Sequence, residues 1–249
     1  MTESKMSPRL AASPNSIPQR PSNMAVIQAC TLLNGIDEAD RDKLTAVSAM
    51  AYAERGETIW IAGSASTYSG VVGIGFIKMT KCASNGMEIA VELLGPVQCF
   101  GLLVAVEGRP FPLSAIAVTN TWYLKIPTRE LQEIYRNSSI LKDQIVRSLG
   151  PRLRRAHDMM SRLSSGRVEE RIAAVLLILI GSYGKETSSG TEIEVPLTRH
   201  DISEMAGTTT ETTIRVMSKW QKESVISTDR SVITVLDKDA LEEVLQNHV

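Results

Sequence analysis

The chain has 249 residues, 43% hydrophobic and 22% charged, with a formal net charge of −1. That is enough apolar material for one large core or two modest ones, and too little charge to draw a polyanion to the whole surface. Three widely spaced cysteines, Cys30, Cys82 and Cys99, make neither a disulfide framework nor a zinc site and read as buried or incidental. No apolar run reaches the ~18 residues of a membrane span and no secretory leader is visible, so the expectation is a soluble, cytoplasmic protein.

Residues 1–23 carry Pro8, Pro14, Pro18 and Pro21 among Ser, Asn, Arg and Gln. Such a segment buries too little apolar area to order itself and predicts a flexible tail. A short helix can follow over 25–33. A clearer one opens behind Asp37, placed to cap it, and runs to about residue 50 with Leu44, Val47 and Ser48 facing inward. From 51 to 126 the texture changes to short β-rich runs over 58–62, 69–80, 87–94 and 114–126. Turn signals separate them at Arg55-Gly56, Ala62-Gly63, Asn85-Gly86, Gly95-Pro96 and Gly108-Arg109-Pro110. Strands so spaced predict an all-β sandwich or barrel.

Residues 129–164 read as helical. Within them Val146, Leu149, Leu153, Ala156, Met160 and Leu163 stand alternately three and four apart, with Arg147, Arg152, Arg154, Arg155 and Arg162 off that line. This is an a/d seam, suited to a partner helix; a stripe packed internally on the β domain is the plainer alternative. Gly150-Pro151 interrupts it. Proline costs ~3 kcal/mol inside a helix, so the helix either begins near Pro151 or bends there.

Ser164-Ser165-Gly166 marks a hinge to the last segment, 165–249. There, 167–183 predicts a helix burying Ile172, Val175, Leu176 and Leu179, followed by a polar loop over 184–190. Strands are expected over 192–195 and 225–235, and a last helix over 237–246. Between the strands lie two short helices joined by a tight turn. Thr198 can cap the first, with Asp201 in its first turn and Ile202, Met205 and Ala206 as its apolar face. Gly207 ends it, and Thr209 can cap the second, whose buried stripe is Thr213, Val216, Met217 and Trp220. Thr210, Glu211, Ile214, Arg215, Lys219 and Lys222 are left facing outward.

Spacing alone leaves two readings of that outward face. One is a solvated helix with an i,i+4 pair of Glu211 and Arg215. The other is a helix laid in a DNA major groove, where Arg215 donates to guanine and Glu211 accepts from cytosine. From Gly166 to Val249 there are 9 Lys/Arg against 14 Asp/Glu, a net of −5. That weighs against indiscriminate coating of DNA and is compatible with a local, sequence-specific reader.

The string P-L-T-R-x-D-I-x-x-x-x-G-x-T-x-E-T-x-x-R over 196–215 closely resembles the helix-turn-helix of the cyclic-AMP receptor protein/fumarate–nitrate regulator (CRP/FNR) family of bacterial transcription factors. Gly56-Glu57-Thr58-Ile59 and Leu94-Gly95-Pro96 resemble the β-roll effector domain of the same family. The resemblance covers about residues 36–236. It implies an α+β protein: a cyclic-nucleotide-binding-like β-roll (jelly roll) over 24–128, a long dimerisation helix over 129–164, and a winged helix-turn-helix over 165–249 with Asp229-Arg230-Ser231 in the wing. It also implies a homodimer on an inverted-repeat DNA site, and contact with RNA polymerase. Arg199, Thr208, Thr210 and the helix N-terminus are expected on phosphates with Lys219 nearby, Thr209 as the cap, Glu211 and Arg215 on bases, and Ile214 against a thymine methyl.

Departures from the family pattern lie in the β-roll. Cyclic-AMP-binding members have Gly-Glu for the ribose and Arg before Ser/Thr-Ala for the cyclic phosphate. Here those places read Gly101-Leu102 and Leu113-Ser114-Ala115, so cyclic AMP is not expected. Leu102, Leu103, Val104 and Leu113 either line an apolar pocket or fill the core. No cluster of N-terminal cysteines accompanies Cys30, which argues against an iron–sulfur cluster, and none of His157, His200 and His248 lies in the β-roll, which argues against haem. No phosphate loop, metal-spaced cluster or nucleophile elbow points to an enzyme.

Overall fold

A computed structural model describes residues 18–229 and 231–246; the expectations for 1–17 and for Arg230 fall outside them. The N-terminal part contains α1 (Asn23–Ala29), α2 (Glu38–Val47), β1 (Ala49–Ala53), β2 (Thr58–Trp60), β3 (Tyr68–Ile74), β4 (Ile77–Cys82), β5 (Glu88–Leu94), β6 (Cys99–Phe100), α3 (Leu102–Glu107), β7 (Ser114–Ala117) and β8 (Thr121–Pro127). The strands form two antiparallel four-stranded sheets, β1-β8-β3-β6 and β2-β7-β4-β5. This is the β-roll.

Its interior is aromatic. Trp60 stacks on Phe111 at 4.0 Å and on Phe100 at 4.9 Å, with Val72, Ile77 and Leu94 around them. The outer face of the first sheet is covered by the helices, through Ile27, Leu33, Leu44, Leu124 and Leu131. The run expected over 69–80 is two strands, because the chain turns at Gly75 (φ +92), where a Cβ would lie 2.5 Å from the Thr121 hydroxyl. Only glycine fits there.

Four N-terminal expectations need correction. Residues 18–22 are not free tail: the Trp122 indole donates to the Pro18 carbonyl at 2.7 Å, and Ser22 caps α1. The second helix stops at Val47, because Ala49 is already paired with Lys125 in the sheet. Leu44 and Ser48 are buried as expected, whereas Val47 is 39% exposed. Asp37 holds the cap position of α2 without a side-chain cap hydrogen bond.

The helical stretch after the β-roll is also divided. α4 (Thr128–Asn137) and α5 (Ser139–Ser165) flank Ser138, whose hydroxyl accepts from the Leu141 N–H and so caps the second helix. α5 runs unbroken past Pro151, so it does not begin there.

The C-terminal domain follows as α6 (Val168–Tyr183), β9 (Gly184–Thr187), β10 (Gly190–Ile193), α7 (Arg199–Ala206), α8 (Thr210–Lys222), β11 (Ile226–Asp229), β12 (Val232–Val235) and α9 (Lys238–Gln246). One antiparallel sheet, β11-β12-β10-β9, backs a helix-turn-helix, giving a winged helix. The expected polar loop over 184–190 is instead the outer strand and turn of a hairpin, with Thr187 opposite Gly190. Ile172, Val175, Leu176 and Leu179 are buried. Among the described residues, no helix is long and apolar enough to cross a membrane.

Candidate nucleic-acid interface and its mounting

The two helices are cut by their own caps. The Thr198 hydroxyl accepts from the Asp201 N–H while the Asp201 carboxylate accepts from the Thr198 N–H, a reciprocal capping box at the head of α7. Gly207 ends that helix in the left-handed region at φ +59. Thr209 opens α8 by accepting from the Thr212 N–H. Thr213, Val216, Met217 and Trp220 are buried against the domain, as the 3.6-residue stripe requires.

On the opposite side of α8, Glu211, Ile214 and Arg215 point outward, with Ile214 49% exposed. Neither the Glu211 nor the Arg215 side chain makes a hydrogen bond or ion pair with another described residue, so the i,i+4 pair is not formed. The other expected DNA residues are more committed. Arg199 donates to the Thr228 hydroxyl at 2.9 Å and to Gln221 at 3.4 Å, tying α7 to α8 and β11. Thr210 Oγ1 lies 3.2 Å from the Ser203 hydroxyl and 3.3 Å from the His200 ring. Lys219 reaches Glu169 at 3.5 Å. The Thr208 N–H donates to the Ser203 carbonyl at 3.0 Å.

The mounting of this unit was not foreseen. Asp201 and Glu204 of α7 both meet Lys78 of β4, whose side chain crosses from the β-roll with only 6% of the residue exposed. The ammonium donates to Asp201 Oδ1 at 3.0 Å and to Glu204 Oε2. His200 Nε2 stands 3.3 Å from Glu204 Oε1, and Arg55 4.0 Å from Asp201. Burial disfavours charge on Lys78, yet Glu204 and Asp201 outweigh it and raise its pKa. Burial likewise opposes ionisation of Asp201, but Thr198 and then Lys78 hold the carboxyl below its usual range. The Tyr183 hydroxyl, donating to the Leu93 carbonyl at 2.9 Å, and an edge-on contact of Tyr183 with Phe76 at 5.5 Å complete the junction. A lysine inside the apolar strand Ile77-Lys78-Met79 was the only available signal.

The residues expected around an effector pocket divide between buried, half-buried and exposed. Leu102 is buried among the helices outside the first sheet, and Leu113 leans on the aromatic interior, its carbonyl accepting from the Trp60 indole at 3.0 Å. Gly101 takes φ +70, with Trp60 and Phe111 3.0 and 2.9 Å from where a Cβ would be. The Ser114 hydroxyl accepts from the Ala62 N–H at 3.0 Å. Leu103 is exposed at the surface.

Along α5, Val146, Leu153 and Met160 are 67%, 57% and 66% exposed. Ala156 is also exposed, and Leu149 is half-buried against the β-roll. The Leu163 side chain lies outside the described set.

Two family models match the chain in this order: a cyclic nucleotide-binding domain over residues 51–138 and a Crp-like helix-turn-helix domain over 170–244. Among curated proteins, it is 26% identical over 190 residues to the global nitrogen regulator of Synechococcus elongatus, covering 76% of this chain and 86% of that one. It is 28% identical over 193 residues to the fumarate and nitrate reduction regulatory protein of Vibrio cholerae, covering 77% and 76%. Among solved structures, FixK2 from Bradyrhizobium japonicum matches with a TM-score of 0.70 at 22% identity, over 80% of this chain and 97% of that one. A CRP-family transcriptional regulator from Thermus thermophilus matches with a TM-score of 0.65 at 22% identity, over 79% and 96%. A β-roll followed by a capped, outward-facing helix-turn-helix, matched by both models in sequence order, places this chain in the CRP/FNR family of DNA-binding transcription regulators.

Proposed function

We propose that the chain is a sequence-specific transcription regulator that acts as a homodimer on an inverted-repeat operator and needs no cyclic nucleotide. The observation that carries this reading is the uncommitted face of α8, where Glu211, Ile214 and Arg215 are exposed side by side. Arg215 offers two donors to guanine O6 and N7, Glu211 accepts from cytosine N4, and Ile214 meets a thymine methyl. The N-terminus of α8, with Thr209 and Thr210, supplies phosphate contacts that fix register. The exposed Val146, Leu153, Ala156 and Met160 of α5 support a two-fold pairing of that helix, with half-sites about 34 Å apart. Contact with RNA polymerase belongs to the reading through family resemblance alone.

Independence of cyclic nucleotide rests on Leu102 and Leu113. Neither side chain offers the ribose an acceptor or the phosphate a cation, and a cyclic phosphate buried without a cation would cost several kcal/mol. The reading also assigns no haem and no iron–sulfur cluster: Cys30 and Cys99 face each other within an apolar cluster, and Cys82 stands apart on the surface.

Selection of bound duplexes from a random DNA pool, with purified protein and no added ligand, tests the whole. Recovery of an inverted repeat is expected. Recovery of nothing from the pure protein, but of a repeat once cyclic AMP is added, would overturn independence of cyclic nucleotide. Recovery of nothing in both would overturn DNA reading.

A further inference from the structure

Cys30 and Cys99 lie 69 residues apart in sequence, yet their sulfurs stand 3.2 Å from each other. Both are buried and neither is in a disulfide. Reaching the covalent separation needs only about 1 Å of movement. We propose that Cys30 and Cys99 are a reversible dithiol–disulfide pair that clamps the N-terminal helix α1 to β6. Cys30 is the nucleophile. Hydrogen bonding from the Cys99 thiol, with the N–H groups of Leu32 and Leu33, lowers its pKa against the opposing effect of burial. The Cys99 thiol is pushed up by that same contact and by burial.

The oxidant is a hydroperoxide or a low-molecular-weight disulfide. With hydrogen peroxide, the Cys30 thiolate attacks one oxygen and the O–O bond breaks. The product is a sulfenic acid, and hydroxide leaves to be protonated as water. Cys99 then attacks the Cys30 sulfur, the S–O bond breaks, and a second water carries away the thiol proton and the hydroxyl. A small dithiol reverses the bond by exchange.

Access comes from the shortness of α1. Only Val26 and Ile27 of its seven residues are buried, so local opening there exposes Cys30 without unfolding the roll. The clamp adjoins α5 as well: Arg152 donates to the Cys99 carbonyl at 3.1 Å and pairs with Glu92 at 3.1 Å. This proposal stands independently of DNA reading.

The test uses the full chain, reduced and then titrated with hydrogen peroxide or oxidised glutathione, alkylated in denaturant and digested. One linked peptide joining Cys30 to Cys99, about 2 Da lighter than its parts and restored by dithiothreitol, is expected, with Cys82 still alkylated. The Cys82→Ser protein must give the same link. Quantitative alkylation of both core thiols, while Cys82 alone is oxidised or joins two copies, would overturn the pair. Amide exchange across α1 should slow about tenfold or more on oxidation; unchanged exchange would remove the clamp.

Discussion

α7 and α8 belong to one helix-turn-helix and are separated by residues 207–209, yet they use their side chains in opposite ways. In α7 every residue from Asp201 to Ala206 is buried, and its two acids are given to a lysine of another domain. In α8 only the stripe of Thr213, Val216, Met217 and Trp220 is buried. A helix that reads an external ligand must leave its donors unsatisfied within the protein; the helix that carries it turns its charged groups inward. The difference between them is one of commitment rather than composition.

The largest effect should come from breaking the committed helix. Lys78→Met leaves Asp201 and Glu204 buried without their cation, and should cost ~3–5 kcal/mol of stability in urea unfolding. A loss below about 1 kcal/mol would mean that water reaches the site. Next comes the reading helix: Arg215→Ala should weaken operator binding by ~1–3 kcal/mol and relax one base position. Its urea midpoint should stay put, since the guanidinium has no described partner. A parallel fall in stability would erase the contrast.

Thr198→Ala removes half of the capping box and should cost ~1 kcal/mol. The acid limb of stability offers a sharper version. Because the folded pKa of Asp201 is lowered, its contribution is fully present above the ordinary carboxylate value and is lost as pH falls through the lowered one. Lys78, raised, contributes below the ordinary lysine value and is lost only as pH rises through its own. The junction is therefore intact between about pH 4 and about pH 10. Asp201→Asn should flatten the decline below about pH 4, measured by urea midpoints; an unchanged slope would assign that decline to other acids. Smallest of all, Ile214→Ala should change stability by less than about 0.5 kcal/mol, against a measurable shift in the preferred base beside the Arg215 step.

The elements legible in the sequence are those whose signals are local. Thr198, Asp201, Gly207 and Thr209 mark helix ends within a dozen residues, and the Trp220 stripe follows from period alone. β9 escaped because all four of its residues are exposed, so it shows no alternation. α3 escaped because Leu102-Leu103-Val104 reads equally as pocket, core or helix. Lys78, set in an apolar strand, hinted at a buried partner without naming it, since its acids lie 123 and 126 residues away. The two core thiols, whose spacing read only as buried or incidental, are indeed buried, and they are brought together only by the fold. Long-range pairing of chemically specific groups is what a single sequence hides best.

Pro151 carries no N–H, so the Arg147 carbonyl one turn back receives no helical hydrogen bond. That missing rung falls between two differently employed halves of α5. Before it, Leu141 and Ile145 are anchored in the β-roll; beyond it, Leu153, Ala156 and Met160 face outward. The helix is thus rooted in the β-roll on both sides of its weakest backbone rung, since Arg152, next after the proline, is itself held by Cys99 and Glu92.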